Sequence, residues 1–325
     1  MWLYKDKEVT SIEDMPQGTI GFIYKVTHIP TNKSYIGKKV LQHTLKKKLT
    51  KKELAELMVG GELPKPKAGE LKVSSESILS IKNAAYSRAD GREILHDVNL
   101  ELHGGEIVGL AGVEGNGQSE LIELIMGLAQ PSAGSVHVLG LDAATTLTRE
   151  IRNAGVAYIP QDRQRDGLLM SAPLWENRIL GHQFADPMAK GVWVNKGAAI
   201  EDSKRVVNEF DVRTPGINVL ASALSGGNQQ KFIVGRELTG DPKLIVAAQP
   251  TRGVDVGAQA IIWDHLMQAR SKGAGILLVT ADLEELFSLS DRIAVIYSGT
   301  IVSILNPAKT TPEDLGLAMT GAKSA

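Results

Sequence analysis

The sequence predicts an α/β domain built on a mainly parallel sheet, behind a smaller β-hairpin/helix unit at the amino terminus. Two observations predict the larger domain: short apolar runs alternate with helix-forming segments from Ile78 onward, and a glycine-rich loop at 112–119 joins one such run to a helix. Continuous apolar strands separated by helices are typical of parallel sheets covered on both faces. At 325 residues with 43% hydrophobic content, the chain is long enough for roughly two domains.

Charge divides the chain into two parts. Residues 1–57 contain 11 Lys and 6 acidic residues, which gives +5, so 58–325 must carry −6 within the total of −1. This contrast predicts a basic hairpin unit at 1–57, a linker at 58–76 and a main domain at 77–325, because Pro, Gly and Lys dominate 60–69. The absence of cysteine excludes disulfides, thiolate metal sites and a thiol nucleophile, as expected in a reducing compartment.

Apolar runs and turn residues locate the elements. Strands at 21–26 and 34–37 flank a turn at 29–33, which predicts a β-hairpin. In the main domain the pattern predicts a strand at 106–111, helices near 119–128, behind Gly227 and at 258–270, strands at 244–248 and 275–280, and a closing hairpin at 292–305 that turns at Ser298-Gly299. Neither a leader-type run in residues 1–24 nor ~18 consecutive apolar residues occur, so we expect no direct membrane insertion.

The glycine loop has the context of a phosphate-binding loop, since a strand, G-x-x-x-x-G-[KQ]-S and a helix follow one another. Gly112, Gly115 and Gly117 let backbone N–H groups surround an anion, and the helix adds its positive end. Ser119 is the expected hydroxyl ligand of Mg²⁺. Gln118 stands where lysine normally contacts the β and γ phosphates, and its uncharged amide predicts weaker phosphate binding. A tight strand-to-helix turn without a ligand is the alternative interpretation.

Four linked motifs resemble those of the ATP-binding subunits of ATP-binding cassette (ABC) importers, specifically the second cassette of two-cassette proteins that serve simple sugars and nucleosides. They are Gly112 to Ser119, Tyr158 to Arg163, Leu224 to Lys231 and Ala247 to Asp255. The resemblance covers about residues 78–321. It implies an ABC-type fold, in which the mainly parallel sheet is accompanied by an antiparallel β portion and a helical signature subdomain. It also implies ATP and Mg²⁺ as cofactors.

Charged groups are missing at the positions that the resemblance assigns to catalysis. The family's Mg²⁺-coordinating aspartate, catalytic glutamate and γ-phosphate-sensing histidine fall at Ala248, Gln249 and Ala281. A missing general base typically costs ~10² to 10⁴ in rate, so we expect little or no ATP hydrolysis by this chain alone. The positions that match the family's nucleotide contacts are Tyr86 for adenine stacking, Gln161, Ser225, Gly226, Gly227 and Asp255.

The missing catalytic groups and the matching nucleotide-contact positions together imply that this chain supplies half of a shared ATP site. In the family two cassettes dimerise head to tail, and each nucleotide lies between one cassette's phosphate loop and the other's signature. The resemblance therefore implies a second cassette and a membrane permease as partners, with this chain in the cytoplasm on the inner face of the cell membrane. Ser225-Gly226-Gly227 as a plain helix cap is the alternative. The Ala-Ala-Gln-Pro-Thr variant at 247–251 favours the nucleoside branch, but the sequence does not identify the solute.

The amino-terminal hairpin resembles the opening of a GIY-YIG nuclease domain, of the kind found in phage proteins. Ile23-Tyr24 and Tyr35-Ile36-Gly37 match the family's tyrosines, Tyr24 and Tyr35. The family's arginine has no counterpart, because the first arginine is Arg88, and the segment of about 50 residues ends before the family's metal-binding glutamate. An incomplete hairpin is therefore favoured over a working nuclease.

Two alternatives remain open. A DNA-directed protein could use the lysine run at 46–52 to contact nucleic-acid phosphates, although such a run is more often a solvated face. A non-transport ABC ATPase is disfavoured by Asn228 to Lys231 and Pro250 to Gly253.

We also hypothesise a join between Thr50 and Met58 that replaced a first cassette by a nuclease fragment.

Overall fold

The computed structural model describes strands at 2–4, 7–9, 21–28 and 33–40, and then residues 73–321 apart from 185 and 192. The chain divides into two units, Met1–Glu62 and Leu63–Ala325. Most of the predicted linker at 58–76 lies outside the described residues, as do the lysine run, the proposed join and the side chains of Tyr24 and Tyr35.

Two antiparallel strand pairs lie within the described residues of the amino-terminal unit. Strand β1 (Trp2–Tyr4) pairs with β2 (Lys7–Val9), and β3 (Gly21–His28) pairs with β4 (Lys33–Val40). In the second pair Tyr24 lies opposite Gly37 and Tyr35 opposite Val26. The predicted hairpin is confirmed, with both strands longer than predicted.

The larger unit is an α/β domain. Its strands are β5 (Ser77–Ser87), β6 (Glu93–His103), β7 (Ile107–Ala111), β8 (Ala133–Val138), β9 (Leu141–Asp142), β10 (Val156–Ile159), β11 (Ala189–Lys190), β12 (Trp193–Val194), β13 (Leu244–Ala248), β14 (Gly275–Val279), β15 (Arg292–Tyr297) and β16 (Thr300–Leu305). Its helices are α1 (Gln118–Ile125), α2 (Thr148–Asn153), α3 (Leu174–Ile179), α4 (Lys196–Glu209), α5 (Gly226–Leu238), α6 (Val256–Ser271), α7 (Leu283–Leu289) and α8 (Pro312–Met319).

The central sheet has the strand order β10-β13-β14-β7-β15-β16, and only the β15–β16 pair is antiparallel. Its strands send alternate residues into two cores: Leu244 and Val246 pack on one side, Ile245 and Ala247 on the other. The first core includes α1, and the second includes α5 and α6. The predicted fold class is confirmed, with α4 packed against α3 and α5 in a helical portion.

The first strands of the domain correct the sequence prediction. Strands and helices do not alternate from Ile78 onward, because β5 and β6 pair directly and form a second sheet of order β6-β5-β8-β9. The turn between them contains Gly91 at φ 82°, a conformation that suits glycine. Along β6, Val98, Leu100 and Leu102 are buried at every second position, which is the pattern of a sheet with one covered face.

Candidate functional site

The glycine loop begins where buried strand β7 ends and leads into α1. Gly115 and Gly117 have φ angles of 93° and 104°, which side chains with a Cβ rarely adopt. A Cβ added at Gly112 would lie 2.7 Å from the carbonyl oxygen of Ile296. Glycine is therefore required at 112 by close packing and at 115 and 117 by the left-handed backbone.

Gln118 closes the loop on itself. Its Nε2 donates to the carbonyl oxygen of Val113 at 3.0 Å, and its Oε1 accepts from the backbone N–H of Asn116 at 3.1 Å. One of the loop's N–H groups is therefore engaged by an internal acceptor. The same N–H also donates to the carbonyl oxygen of Val113 at 3.3 Å, so a phosphate that uses it must displace both acceptors.

Asn116 fastens the loop to the neighbouring hairpin. Its Oδ1 accepts from the backbone N–H of Ser298 at 2.8 Å, and its carbonyl oxygen accepts from Gly299 N–H at 3.0 Å. The closing hairpin predicted to turn at Ser298-Gly299 thus supports the phosphate loop. The sequence prediction missed this role, because the two partners lie 182 positions apart along the chain.

A cavity of about 240 Å³ lies at the carboxyl ends of the central strands. It brings together most of the predicted nucleotide-site residues, namely Gly112, Gly115, Gln118, Ser119, Gln161, Gln249 and Ala281. Ala248 is buried at the end of β13, directly before Gln249 at φ 51°. The positions that would carry catalytic charge therefore meet in one place, and their side chains are neutral.

Glu114 and Arg252 are the charged residues among those that line the cavity in the described part of the chain. Glu114 Oε1 accepts from Gln161 Nε2 at 3.0 Å. Mg²⁺ is usually held through one or two carboxylates in addition to phosphates and waters, whereas Ser119 is accompanied here by Ala248 and Gln249. These residues fit a phosphate chain through the loop backbone but fit Mg²⁺ poorly.

Tyr86 does not line the cavity. It lies on β5 opposite Leu95, half-buried against the core beside the antiparallel sheet. The Leu95 side chain approaches the loop, since a Cβ added at Gly117 would lie 2.6 Å from Leu95 Cδ2. The adenine contact of Tyr86 stays a prediction.

The signature residues form a second cluster outside the cavity. Ser225 precedes α5 without capping it through its side chain, and the residue is exposed. Asp255 caps α6 by accepting from Ala258 N–H at 3.0 Å, and a Cβ added at Gly227 would lie 3.6 Å from Asp255 Oδ2. The predicted site is therefore divided into a loop side and a signature side.

Arg163 connects the start of α5 to the segment after β13. Its Nη1 donates to the carbonyl oxygen of Arg252 at 2.8 Å, and a Cβ added at Gly226 would lie 2.7 Å from Arg163 Nη2. A side chain at 226 would therefore have to displace the guanidinium of Arg163. The sequence included Arg163 in a motif but gave no signal for this contact.

A buried ion network connects the other end of α5 to the strand before Gln161. Glu237 accepts from Arg236 Nε at 2.8 Å, from Arg152 Nη2 at 2.8 Å and from Tyr158 N–H at 3.1 Å. Burial opposes the charge of Glu237, but the two arginines outweigh it and lower its pKa to about 2. Burial also raises the pKa of the Tyr158 phenol to about 12.

Glu285 is buried behind Thr280, one of the cavity residues. Its Oε1 accepts from Thr251 Oγ1 at 2.9 Å and from Trp263 Nε1 at 3.0 Å. Burial raises the pKa of this carboxyl, while the hydrogen bonds from Trp263 and Thr251 act in the opposite direction.

The central sheet and its glycine loop define a nucleotide-binding domain of the P-loop class. Residues 95–252 match the family model described as ABC transporter. The ATP-binding subunit of an ABC transporter superimposes with a TM-score of 0.61 at 21% identity, over 74% of this chain and 99% of that protein. A nucleotide-free ATP-binding cassette from an ABC transporter superimposes with a TM-score of 0.61 at 23% sequence identity, and the match covers 71% of this chain and 92% of that protein. At these identities the likeness shows the fold.

Curated relatives are import ATP-binding proteins. The guanosine import ATP-binding protein NupO of Bacillus subtilis is 42% identical over 269 residues, which cover 83% of this chain and 53% of that protein. The nucleoside import ATP-binding protein NupA of Lactococcus lactis is 39% identical over 272 residues, covering 84% and 54%. The chain spans about half the length of these relatives.

The amino-terminal unit has its own match. Residues 2–57 match the family model for the GIY-YIG domain of the segE endonuclease, in agreement with the predicted resemblance.

The described residues lack two further features. No helix among them is both long and apolar enough to cross a bilayer. Within the same residues, no three His, Cys, Asp or Glu side chains are grouped so that they could hold a metal ion.

Proposed function

We propose that the chain is an ATP-binding component of an importer of nucleosides or simple sugars, in which its signature surface completes the ATP site of a partner cassette. The relatives' names support import of such solutes, and nucleosides are favoured because NupO and NupA serve guanosine and nucleosides. One observation carries the finer proposal: Gln118, Gln249 and Ala281, which are neutral, line the loop-side cavity, while the signature residues lie on a separate surface with Ser225 exposed.

The chain's own site binds ATP weakly and does not cleave it. The loop backbone and α1 offer donors to phosphates, but Gln118 supplies no cation and Gln249 is a poor proton acceptor. Loss of a group that stabilises charge in the transition state typically lowers the catalytic rate by ~10² to 10³. The loss from the missing general base comes in addition. Mg²⁺ bound through Ser119 lacks a carboxylate ligand at Ala248. Hydrolysis is therefore assigned to the partner's loop.

The signature surface supplies donors to the partner's nucleotide. The first turn of α5 presents the N–H groups of Gly226 and Gly227, and the positive end of a helix stabilises a phosphate that lies next to it. Ser225 adds a hydroxyl beside them. The chain reaches the inner face of the cell membrane through the permease of the importer, without inserting into the bilayer itself.

Purified chain, a separately produced first cassette from a two-cassette importer and their mixture test this proposal. Steady ATP turnover is expected in the mixture and not with the chain alone. The variant Ser225→Ala is expected to reduce turnover of the mixture, because it removes a donor to the partner's phosphate. Vigorous hydrolysis by the pure chain, abolished by Gln249→Ala, would overturn the proposal.

The amino-terminal unit gives a second candidate function, an endonuclease-like action on DNA, which rests on the GIY-YIG match at 2–57. The curated relatives do not favour it, because their names describe import ATP-binding proteins. Metal-dependent nicking of plasmid DNA by the full chain tests it. Sequencing of the source DNA across codons 50–58 tests the proposed join, and a continuous nuclease reading frame would remove that idea.

A further inference from the structure

We propose that Asn228 is a positioning residue that fixes the direction in which the Ser225 hydroxyl donates its proton. It holds that proton toward an acceptor outside the chain, of the class of a nucleoside triphosphate's terminal phosphate. This inference rests on the proposed function, in which a partner cassette presents such a phosphate to the signature.

Asn228 lies between two fixed groups. It is in the first turn of α5, and its Nδ2 donates to Ser225 Oγ at 3.0 Å. Its Oδ1 accepts from the backbone N–H of Arg213 at 2.9 Å. The amide therefore bridges the signature serine and the segment that follows α4.

The Arg213 contact decides which end of the amide faces Ser225. A backbone N–H can only donate, so the amide atom that faces it must be the oxygen. The opposite atom is then the nitrogen, which can only donate as well. Ser225 Oγ must accept this hydrogen bond, and its own proton has to point elsewhere. A flipped amide would set two donors against each other at Arg213 and leave both without an acceptor.

The proton of Ser225 has no acceptor within the described part of the chain. Ser225 Oγ is not engaged by the N–H groups of the first turn, since the side chain does not cap α5. The residue is exposed, so the hydroxyl can reach a group from outside. Hydrogen bonds from a hydroxyl to an ionised oxygen are short, and they are roughly twice as strong as hydrogen bonds between neutral groups. An anionic oxygen near the amino-terminal end of α5 is therefore the acceptor that this arrangement favours.

The frame around Asn228 is itself anchored. Lys231 Nζ donates to Asp211 Oδ2 at 2.9 Å, which holds the segment that carries Arg213. Gln229 Nε2 donates to the carbonyl oxygen of Ala221 at 3.1 Å, which holds the segment before the signature. The residues after the glycines thus bind the start of α5 to its own domain and restrict rotation of the Asn228 amide.

The variants Asn228→Asp and Asn228→Ala test the inference in the mixture with a first cassette. A carboxylate at 228 accepts from both Arg213 N–H and Ser225, so it captures the Ser225 proton. We expect Asn228→Asp to lower turnover as much as Ser225→Ala, about tenfold or more for loss of a transition-state donor. Asn228→Ala captures no proton: it releases the Ser225 hydroxyl to rotate and removes the acceptor of the Arg213 N–H, and we expect a loss of about two- to fivefold.

A double-mutant cycle separates proton capture from simple charge repulsion. If Asn228→Asp acts through Ser225, it costs little further turnover in the Ser225→Ala background. If Asn228→Asp reduces turnover equally in the wild-type and Ser225→Ala backgrounds, the inference is overturned. It is also overturned if Asn228→Ala has wild-type turnover while Ser225→Ala is impaired. If Asn228→Asp does not fold, as judged by circular dichroism, Asn228→Ala alone decides. If Ser225→Ala itself has wild-type turnover, the proposed function fails and the inference fails with it.

Discussion

Gln161 Nε2 donates to Glu114 Oε1 at 3.0 Å, which joins the segment after β10 to the phosphate loop. Both residues line the loop-side cavity, and Glu114 brings a negative charge to the place where phosphates would bind. Two like charges about 4 Å apart repel by about 1 kcal/mol in water and by more in a partly shielded site. We therefore expect Glu114 to weaken nucleotide binding in addition to the missing lysine.

Replacing Glu114 by Gln is expected to tighten ATP binding. The amide keeps an acceptor oxygen for Gln161 but removes the charge, which corresponds to about a two- to tenfold lower Kd. Titration with a fluorescent ATP analogue at low and high salt measures this, and the gain should shrink at high salt. Glu201→Gln, which removes an exposed charge on α4, is the matched control and should leave the Kd unchanged. Weaker binding by Glu114→Gln would show that the Glu114 carboxylate helps to hold the nucleotide.

The variant Gln118→Lys is expected to lower the Kd for ATP by about 10- to 100-fold. Hydrogen bonds to charged groups contribute about 1.5–3 kcal/mol, more than neutral ones. Lysine also carries no acceptor, so it removes one of the two acceptors of the Asn116 N–H and leaves only its longer hydrogen bond to the Val113 carbonyl oxygen at 3.3 Å. The same titration measures the change, with Gln130→Lys as a control that adds the same charge outside the cavity. An unchanged Kd in Gln118→Lys would mean that the loop does not bind phosphates.

Local patterns predicted the main elements and the glycine loop, whereas Gln161, Gln249 and Ala281 were assigned through the family resemblance. The apolar runs at β7, β13 and β14 identify buried strands because each strand is covered on both faces. Parallel strands bring their carboxyl ends to one edge, so Gln118 and Gln249 meet there although they are far apart in sequence.

Contacts between distant side chains could not be predicted in this way. Arg163 over Gly226, Asn228 at Arg213 and Glu237 at Tyr158 all depend on how separate elements pack, which periodicity does not encode. The pairing of β5 with β6 was also missed, because a short apolar run fits a strand of either kind of sheet.

Because the pKa of Glu285 is raised, we expect the free energy of unfolding to fall as pH rises. Its folded pKa is raised by burial, so its favourable contribution is present below the unfolded pKa near 4.5 and is lost as pH rises through the folded pKa. Glu285→Gln keeps an oxygen for Thr251 and Trp263 without the charge, and we expect it to be at least as stable as wild type at pH 8.

The contrast with Glu285→Leu tests this account. Leucine leaves Thr251 Oγ1 and Trp263 Nε1 without their acceptor, and we expect a loss of about 2–3 kcal/mol in the free energy of unfolding. Urea unfolding of the three proteins at pH 5 and pH 8 measures both effects. A Glu285→Gln protein that loses as much stability as Glu285→Leu at pH 8 would show that the ionised carboxylate is stabilising.

For Glu237 we expect the opposite pH dependence of the free energy of unfolding. Its pKa is lowered to about 2 because Arg236 and Arg152 outweigh its burial, so its contribution is present above the unfolded pKa near 4.5 and is lost as pH falls toward 2. Removing one partner of a buried ion pair typically costs about 3–5 kcal/mol, because the remaining charge stays buried. We expect Glu237→Gln to lower the free energy of unfolding by this amount at pH 7, with Glu201→Gln within about 0.5 kcal/mol of wild type.

Urea unfolding of wild type and Glu237→Gln at pH 7, 5 and 3.5 measures the difference between them. The difference should be constant between pH 7 and 5 and smaller at pH 3.5, where wild-type Glu237 becomes protonated mainly in the unfolded chain. A difference that stays the same down to pH 3.5 would mean that shape or hydrogen bonding at 237 matters and its charge does not. Since Glu237 also accepts from Tyr158 N–H, just before the segment that carries Gln161, its loss should loosen the Gln161–Glu114 contact as well.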